Sequence, residues 1–374
     1  MANCKGRYYK QLRQYLLIAI YTQYIYPNYE INRAKSVRIG LHSRFIRQIV
    51  AISCYNVVFN FRNIVRISLM DVSLSLRRLR RRYREPLLKL FFHLFVRLPK
   101  FATYSIGVFI GWILWVSNGR SRKIAEKNIR ACFPNVNAER HEEICKKSLV
   151  EMGRAMSELP RLWTASQDGL LSLIKRVEGL HHVENAMQSG KGIICLTPHL
   201  GAWEIMGLYM SIKYPMTTLY RPPTLVSLEE IMVAGRTRFG VNLVPTDVQG
   251  VRGLLKALKK GEMLGILPDQ DPGASGGEFA PFFGIQANTI TLVSRLVKKT
   301  DAATIVCFAE RLPKEQGYVL HIQEPLKGVG SMNMEESLTE LNRGIEDYIR
   351  QYPEQYQWSY RRFKTRPKGE ASFY

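Results

Sequence analysis

From Leu173 onward, short apolar runs alternate with stretches whose apolar positions recur every three to four residues. The first pattern predicts buried strands and the second amphipathic helices. Strands are expected over Ile193–Leu196, Met216–Leu219, Asn242–Val244, Met263–Ile266, Thr304–Phe308 and Tyr318–Ile322. Helices are expected near Ala202–Ser211, Leu228–Arg238, Gly250–Lys259, Thr289–Lys298 and Met334–Gln351. This order predicts an α/β fold, a mostly parallel sheet flanked by helices. Upstream, Ser121–Cys132 and Ala138–Ser157 carry helical periodicity, and Asn137 is placed to cap the second.

Phe101–Ser117 runs for seventeen residues without a charge, with Trp112 and Trp115 near one end. Its length is at the lower limit for crossing a bilayer. It reads as a single anchoring helix that crosses the membrane or lies deep in its interface, with a buried core helix as the alternative. Basic residues flank it on both sides, so charge asymmetry sets no orientation. Before it lie the apolar Leu87–Val96 and the cluster R-R-L-R-R-R-Y-R at 77–84, suited to anionic headgroups. The chain thus divides into a basic, Tyr-rich extension (1–69), a segment carrying the basic cluster and anchor (70–120), and the α/β domain (121–374). The extension is expected to be a lineage-specific appendage or an over-extended start, with Met70 as the other starting point.

Charge sharpens this picture. The net charge is +23, and residues 1–69 hold eleven basic side chains against one acid, Glu30. Such an excess points to a polyanionic partner. Nucleic acid is disfavoured, because no zinc-finger spacing, RNP-type aromatic motif or basic zipper is present. Basic residues flanking apolar segments fit an anionic phospholipid surface better. The six cysteines show no paired short spacing and read as reduced and structural. No spacing of histidines, thiols and carboxylates suggests a metal site, and no cofactor is implied.

Candidate chemistry gathers at L-T-P-H-L-G-A-W-E, residues 196–204. His199 falls in the turn after a predicted strand and Glu204 in the first turns of the next helix. Residues five apart within one helix point about 140° from each other. The two can therefore meet only if His199 precedes the helix and reaches back over its start. In that geometry Glu204 would orient the imidazole as a general base for a hydroxyl. The amides near Gly201–Trp203 would steady a developing oxyanion. Asp269 and Asp271, in the loop after Met263–Ile266, could hold a cation, orient a substrate or cap turns. Arg236, Arg238 and Arg221 offer forks for phosphate. Phe279, Phe282 and Phe283 suggest a core edge or the wall of an acyl-chain groove. The C-terminal mixture of aromatics and cations from Trp358 to Arg366 suggests an interfacial belt, a headgroup contact or simple docking.

An ordered set of motifs resembles the late acyltransferases of lipid A biosynthesis, within the glycerolipid acyltransferase superfamily. The set comprises Ser121–Pro134, the His199/Glu204 block, Tyr220–Pro222, Gly235–Arg238, Pro268–Asp271 with Phe279–Gly284, and Pro353–Pro367. It covers roughly residues 86–374. The resemblance implies transfer of a fatty acyl group from acyl carrier protein to a hydroxyl of a 3-hydroxyacyl chain on a lipid A precursor. It places the enzyme at the inner membrane with its catalytic domain on the cytoplasmic side. It assigns His199 and Glu204 as catalytic and points to Arg236 as the functional arginine, ahead of Arg238 and Arg221; Arg236, Arg221, Asp269 and Asp271 are the expected substrate-binding residues. Gln270, a histidine in some relatives, and Tyr356, at a variable position, leave acyl chain and acceptor hydroxyl open. Two rival readings are an O-acyltransferase of the same fold acting on another glycolipid or a lysophospholipid, and a non-catalytic basic membrane-binding protein.

Overall fold

The computed structural model describes residues 85–374 apart from 224, 274 and 332. The extension and the arginine cluster at 77–84 lie outside the described residues. Helix α1 covers residues 85–97. Then follow α2 (Lys100–Val116), α3 (Arg120–Cys132), α4 (Ala138–Leu162) and the short α5 (Gln167–Leu171). The α/β region comprises β1 (Ile174–Glu178), α6 (Leu180–Gln188), β2 (Ile193–Leu196), α7 (Trp203–Lys213), β3 (Met216–Tyr220), α8 (Val226–Thr237), β4 (Asn242–Pro245), α9 (Val248–Lys259) and β5 (Met263–Ile266). A hairpin of β6 (Gly277–Phe282) and β7 (Ile285–Ile290) precedes α10 (Leu292–Thr300), β8 (Ala303–Arg311), β9 (Tyr318–Ile322) and α11 (Met334–Gln351).

Seven strands form one sheet in the order β1-β9-β8-β2-β5-β3-β4. All neighbours run parallel except β8 and β9, which are antiparallel. The central strands β2 and β5 are apolar throughout because both of their faces are covered. In β2, Ile194 and Leu196 join the core beneath α3, α4, α9 and α11, while Ile193 and Cys195 join the core beneath α7. Successive side chains of a strand point to opposite faces, so four residues seal two layers.

The hairpin β6–β7 takes residues 289–290, which periodicity had assigned to a helix; the helix begins at Leu292. Helix α4 runs five residues beyond its expected end and includes Pro160. Burial of Leu162 and Trp163 beneath α7 favours that last turn. Cys132, Cys145, Cys195 and Cys307 are free and buried, as expected of structural thiols.

Helix α2 packs flank to flank against α4. A Cβ on Gly111 would lie 2.3 Å from the Cα of Val150, and one on Gly153 would lie 2.2 Å from the carbonyl oxygen of Gly107. Only glycine permits so close a backbone approach. The opposite side of α2 presents Phe101, Phe109, Trp112, Ile113 and Val116 to solvent, Phe101 being 69% exposed. Among the described residues no single helix is long and apolar enough to cross a membrane, although α2 and α3 together, bent by 79°, pass that test. The segment expected to be a single anchoring helix is thus a helix with one face docked on α4 and the other exposed.

Burial decides between alternatives at two further places. Phe282 and Phe283 belong to the core, where Phe283 meets Phe133 and Trp358 edge-on, so they form a core edge and not a groove wall. Trp358 and Arg362 are buried as well. Arg362 donates to the Asn288 carbonyl and the Thr289 hydroxyl, which makes this stretch a docked C-terminal segment and no interfacial belt.

Candidate active site

The loop between β2 and α7 is fixed by backbone bonds on both sides. Thr197 N–H donates to Ile266 O, Gly201 N–H to Gln355 O, Ala202 N–H to Ala309 O, and Gln357 N–H to His199 O. Gly201 adopts a φ of +59°, and a Cβ there would lie 2.0 Å from the Ala309 carbonyl oxygen. Glycine is required at that point. Gly201 and Ala202 spend their N–H groups on these bonds and Ile205 N–H donates to Ala202 O, so of the amides around the start of α7 those of Trp203 and Glu204 are left without a backbone acceptor.

Strands β2 and β5 are neighbours in register, with Leu196 opposite Ile266. His199 and Asp269 each lie three residues beyond those partners, so both emerge at the C-terminal edge of the sheet, where α/β folds place their sites. The His199 backbone N–H donates to one Asp269 carboxylate oxygen at 2.9 Å. Its Nδ1 lies 2.8 Å from the other. Asp269 is only 1% exposed. Burial pushes its carboxyl up, but the charge of His199 and these two bonds outweigh burial and hold it below its ordinary value. An ionised Asp269 fixes the proton on Nδ1 and leaves Nε2 with its lone pair. Tyr356 backs the pair: burial first, then the Asp269 charge, pushes its phenol well above the usual range. The Trp203 ring centroid stands 5.1 Å from that of the imidazole.

Glu204 does not hold His199, contrary to the sequence expectation. Its carboxylate faces Arg236, which donates from Nε at 3.1 Å and also from Nη2, and Trp163, whose Nε1 donates at 2.9 Å. The reason is helical phase: Glu204 projects from the first turn of α7 toward α8, while the imidazole turns back over β5. Burial raises the Glu204 carboxyl, and Arg236 more than reverses this, so it too ionises below its ordinary value. Arg236 is paired, yet its side chain stays 25% exposed.

The remaining sequence candidates separate. Asp271 accepts from Gly273 N–H, Asn288 Nδ2 and Thr365 N–H, so it ties the loop to the hairpin and the C-terminal segment. Arg238 donates to the Leu162 carbonyl, and Arg221 is exposed beyond β3. Asp269 is the histidine's partner and is not poised to orient a substrate. Sequence reasoning missed that pairing: the equal offsets of His199 and Asp269 put both just past predicted strands, but only the fold makes those strands neighbours in register. Trp163 had no signal. Among the described residues no cluster of three or more His, Cys, Asp or Glu could hold a metal ion.

Residues 73–365 match the family model described as bacterial lipid A biosynthesis acyltransferase. The chain is 32% identical over 285 residues to the lipid A biosynthesis palmitoleoyltransferase of Escherichia coli K12, covering 75% of this chain and 91% of that protein. It is 28% identical over 282 residues to the lipid A biosynthesis lauroyltransferase of the same organism, with the same coverage. The lipid A biosynthesis myristoyltransferase of that strain is 24% identical over 255 residues, 68% of this chain and 78% of the relative.

Proposed function

As the chain belongs to the bacterial lipid A biosynthesis acyltransferase family, we propose that it carries a fatty acyl group from an acyl carrier protein thioester to a hydroxyl of a 3-hydroxyacyl chain on a lipid A precursor. The observation that carries this reading is the bond between His199 Nδ1 and Asp269, which leaves Nε2 as a base at the open edge of the sheet. Nε2 takes the hydroxyl proton as the oxygen attacks the thioester carbonyl. The new C–O bond forms, the C–S bond breaks, and the proton passes to the departing thiolate. The Trp203 and Glu204 amides at the start of α7 steady the oxyanion. Asp269 orients His199, a role first assigned to Glu204. Glu204 instead holds Arg236, whose unspent N–H groups suit a phosphate of the acceptor.

The exposed apolar residues of α1 and α2, with the basic excess of the chain, support contact with an anionic membrane whose lipids include the acceptor. On this reading the domain works at the cytoplasmic face of the inner membrane, where acyl carrier protein is available.

The test is acyl transfer by membranes carrying this chain, from acyl carrier protein thioester to a tetraacyl lipid A precursor. Removal of a general base costs on the order of 10²–10⁴ in rate. His199→Ala is expected to fall by that factor and Asp269→Ala to follow it. Transfer untouched in His199→Ala overturns the mechanism, and no transfer by the folded parent overturns the acceptor.

A further inference from the structure

The proton-accepting nitrogen of His199 is not bare. The carboxamide nitrogen of Gln270 lies 3.1 Å from His199 Nε2. Since Asp269 fixes the proton on Nδ1, the amide N–H of Gln270 donates to the Nε2 lone pair. That lone pair is the one the acceptor hydroxyl needs, and a single lone pair accepts one good hydrogen bond. Gln270 and a hydroxyl on its way to deprotonation therefore exclude each other.

We propose that Gln270 is a positioning residue that occupies His199 Nε2 until the acceptor hydroxyl displaces it, and so keeps water from being activated there in the absence of acceptor. This rests on the acyl-transfer reading above. The loop favours such a role. Asp269, one residue before Gln270, is anchored on His199, and Asp271, one residue after, is anchored on Gly273, Asn288 and Thr365. The backbone on either side is thus held, while the Gln270 side chain is only half-buried, so a change of its rotamer need not move that backbone. Displacing it costs one neutral hydrogen bond, which the incoming hydroxyl restores.

The reaction held in check is hydrolysis of the donor. With Nε2 uncovered, a water would lose its proton to Nε2 as its oxygen attacks the thioester carbonyl. The C–S bond would break, the thiolate would take the proton, and a free fatty acid would be released. A glutamine serves here better than a charged group, because it donates to a neutral imidazole without adding charge. The charged groups around that imidazole are Asp269 on Nδ1 and, more distantly, Glu204 with its partner Arg236.

Three readouts test this. The first needs no substrate: carbethoxylation of His199 by diethyl pyrocarbonate, followed by mass spectrometry of its peptide. Gln270→Ala and the shorter Gln270→Asn should both label roughly fivefold faster than the parent, the scale of one lost neutral hydrogen bond. The second is the ratio of fatty acid released to acyl transferred, from acyl carrier protein thioester without and with lipid A precursor. It should rise in both variants, chiefly without acceptor. The third is the pH profile of Gln270→Glu, whose carboxylate beside Nε2 favours the imidazolium and should move the acidic limb of transfer upward. Labelling and hydrolysis ratio both unchanged, or an unmoved limb in a folded Gln270→Glu protein, overturn the proposal. Faster labelling in the variants, with a parent that transfers no acyl group to any lipid, would instead leave Gln270 on Nε2 and sink the acyl-transfer reading.

Discussion

His199 and Asp269 are seventy positions apart in the chain and 2.8 Å apart in space, Nδ1 to carboxylate, because each stands three residues past a paired position of β2 and β5. The carboxylate receives both the ring and the backbone N–H of His199, so it sets the tautomer and the orientation of the ring together.

Asp269→Asn should therefore damage catalysis more than stability. The amide fits the same space but can donate to Nδ1, which turns the lone pair away from the acceptor. In a Ser-His-Asp triad, where a carboxylate likewise sets the histidine tautomer, the equivalent change costs roughly ten-thousandfold, and we expect a single-turnover transfer rate reduced by about 10³–10⁴. A loss below tenfold would show that Asp269 is not the orienting group.

Glu204→Gln should act on the fold first. It leaves the Arg236 guanidinium without its carboxylate in a largely buried position. Breaking a buried pair costs about 3 kcal/mol, the lower end of the range being apt because Arg236 is a quarter exposed. Adding Arg236→Gln should recover part of that loss, with a coupling of roughly 1–2 kcal/mol in a denaturation cycle. Purely additive losses would mean that the pair contributes nothing.

The pH dependence follows from the two depressed carboxyls. Both Asp269 and Glu204 ionise below their ordinary values. Each therefore contributes stability that is present above the unfolded pKa, about 4, and is lost as pH falls through the lower folded value. The gap in denaturation midpoint between the parent and Glu204→Gln should stay constant from about pH 6 to 8 and close below about pH 4. A gap that widens on acidification contradicts the sign.

Membrane contact through α2 is tested by replacing Phe101, Phe109 and Trp112 together with serine. All three are exposed, so the fold should survive. Each buried ring contributes about 2 kcal/mol, and co-sedimentation with anionic vesicles should fall by well over tenfold. Unchanged partition would direct attention away from this face.

The alternation of short apolar runs with amphipathic stretches was sufficient to place six of the strands within a few residues, since burial on both faces of a parallel sheet demands such runs. It did not show β1, whose Ile174–Glu178 mixes charge with apolar positions at the sheet edge. Nor did it show the hairpin β6–β7, whose polar Gln286 and Asn288 break the apolar run. His199 was legible because its strand and turn are local. Its partner was not. Glu204 is near in sequence, and proximity favoured it; but the phase of α7 turns it to Arg236, while the register of β2 on β5 delivers Asp269. Residue types and local spacing thus determined which groups the site contains. Strand order, register and helix phase, which depend on contacts far apart in the chain, decided which of them touch.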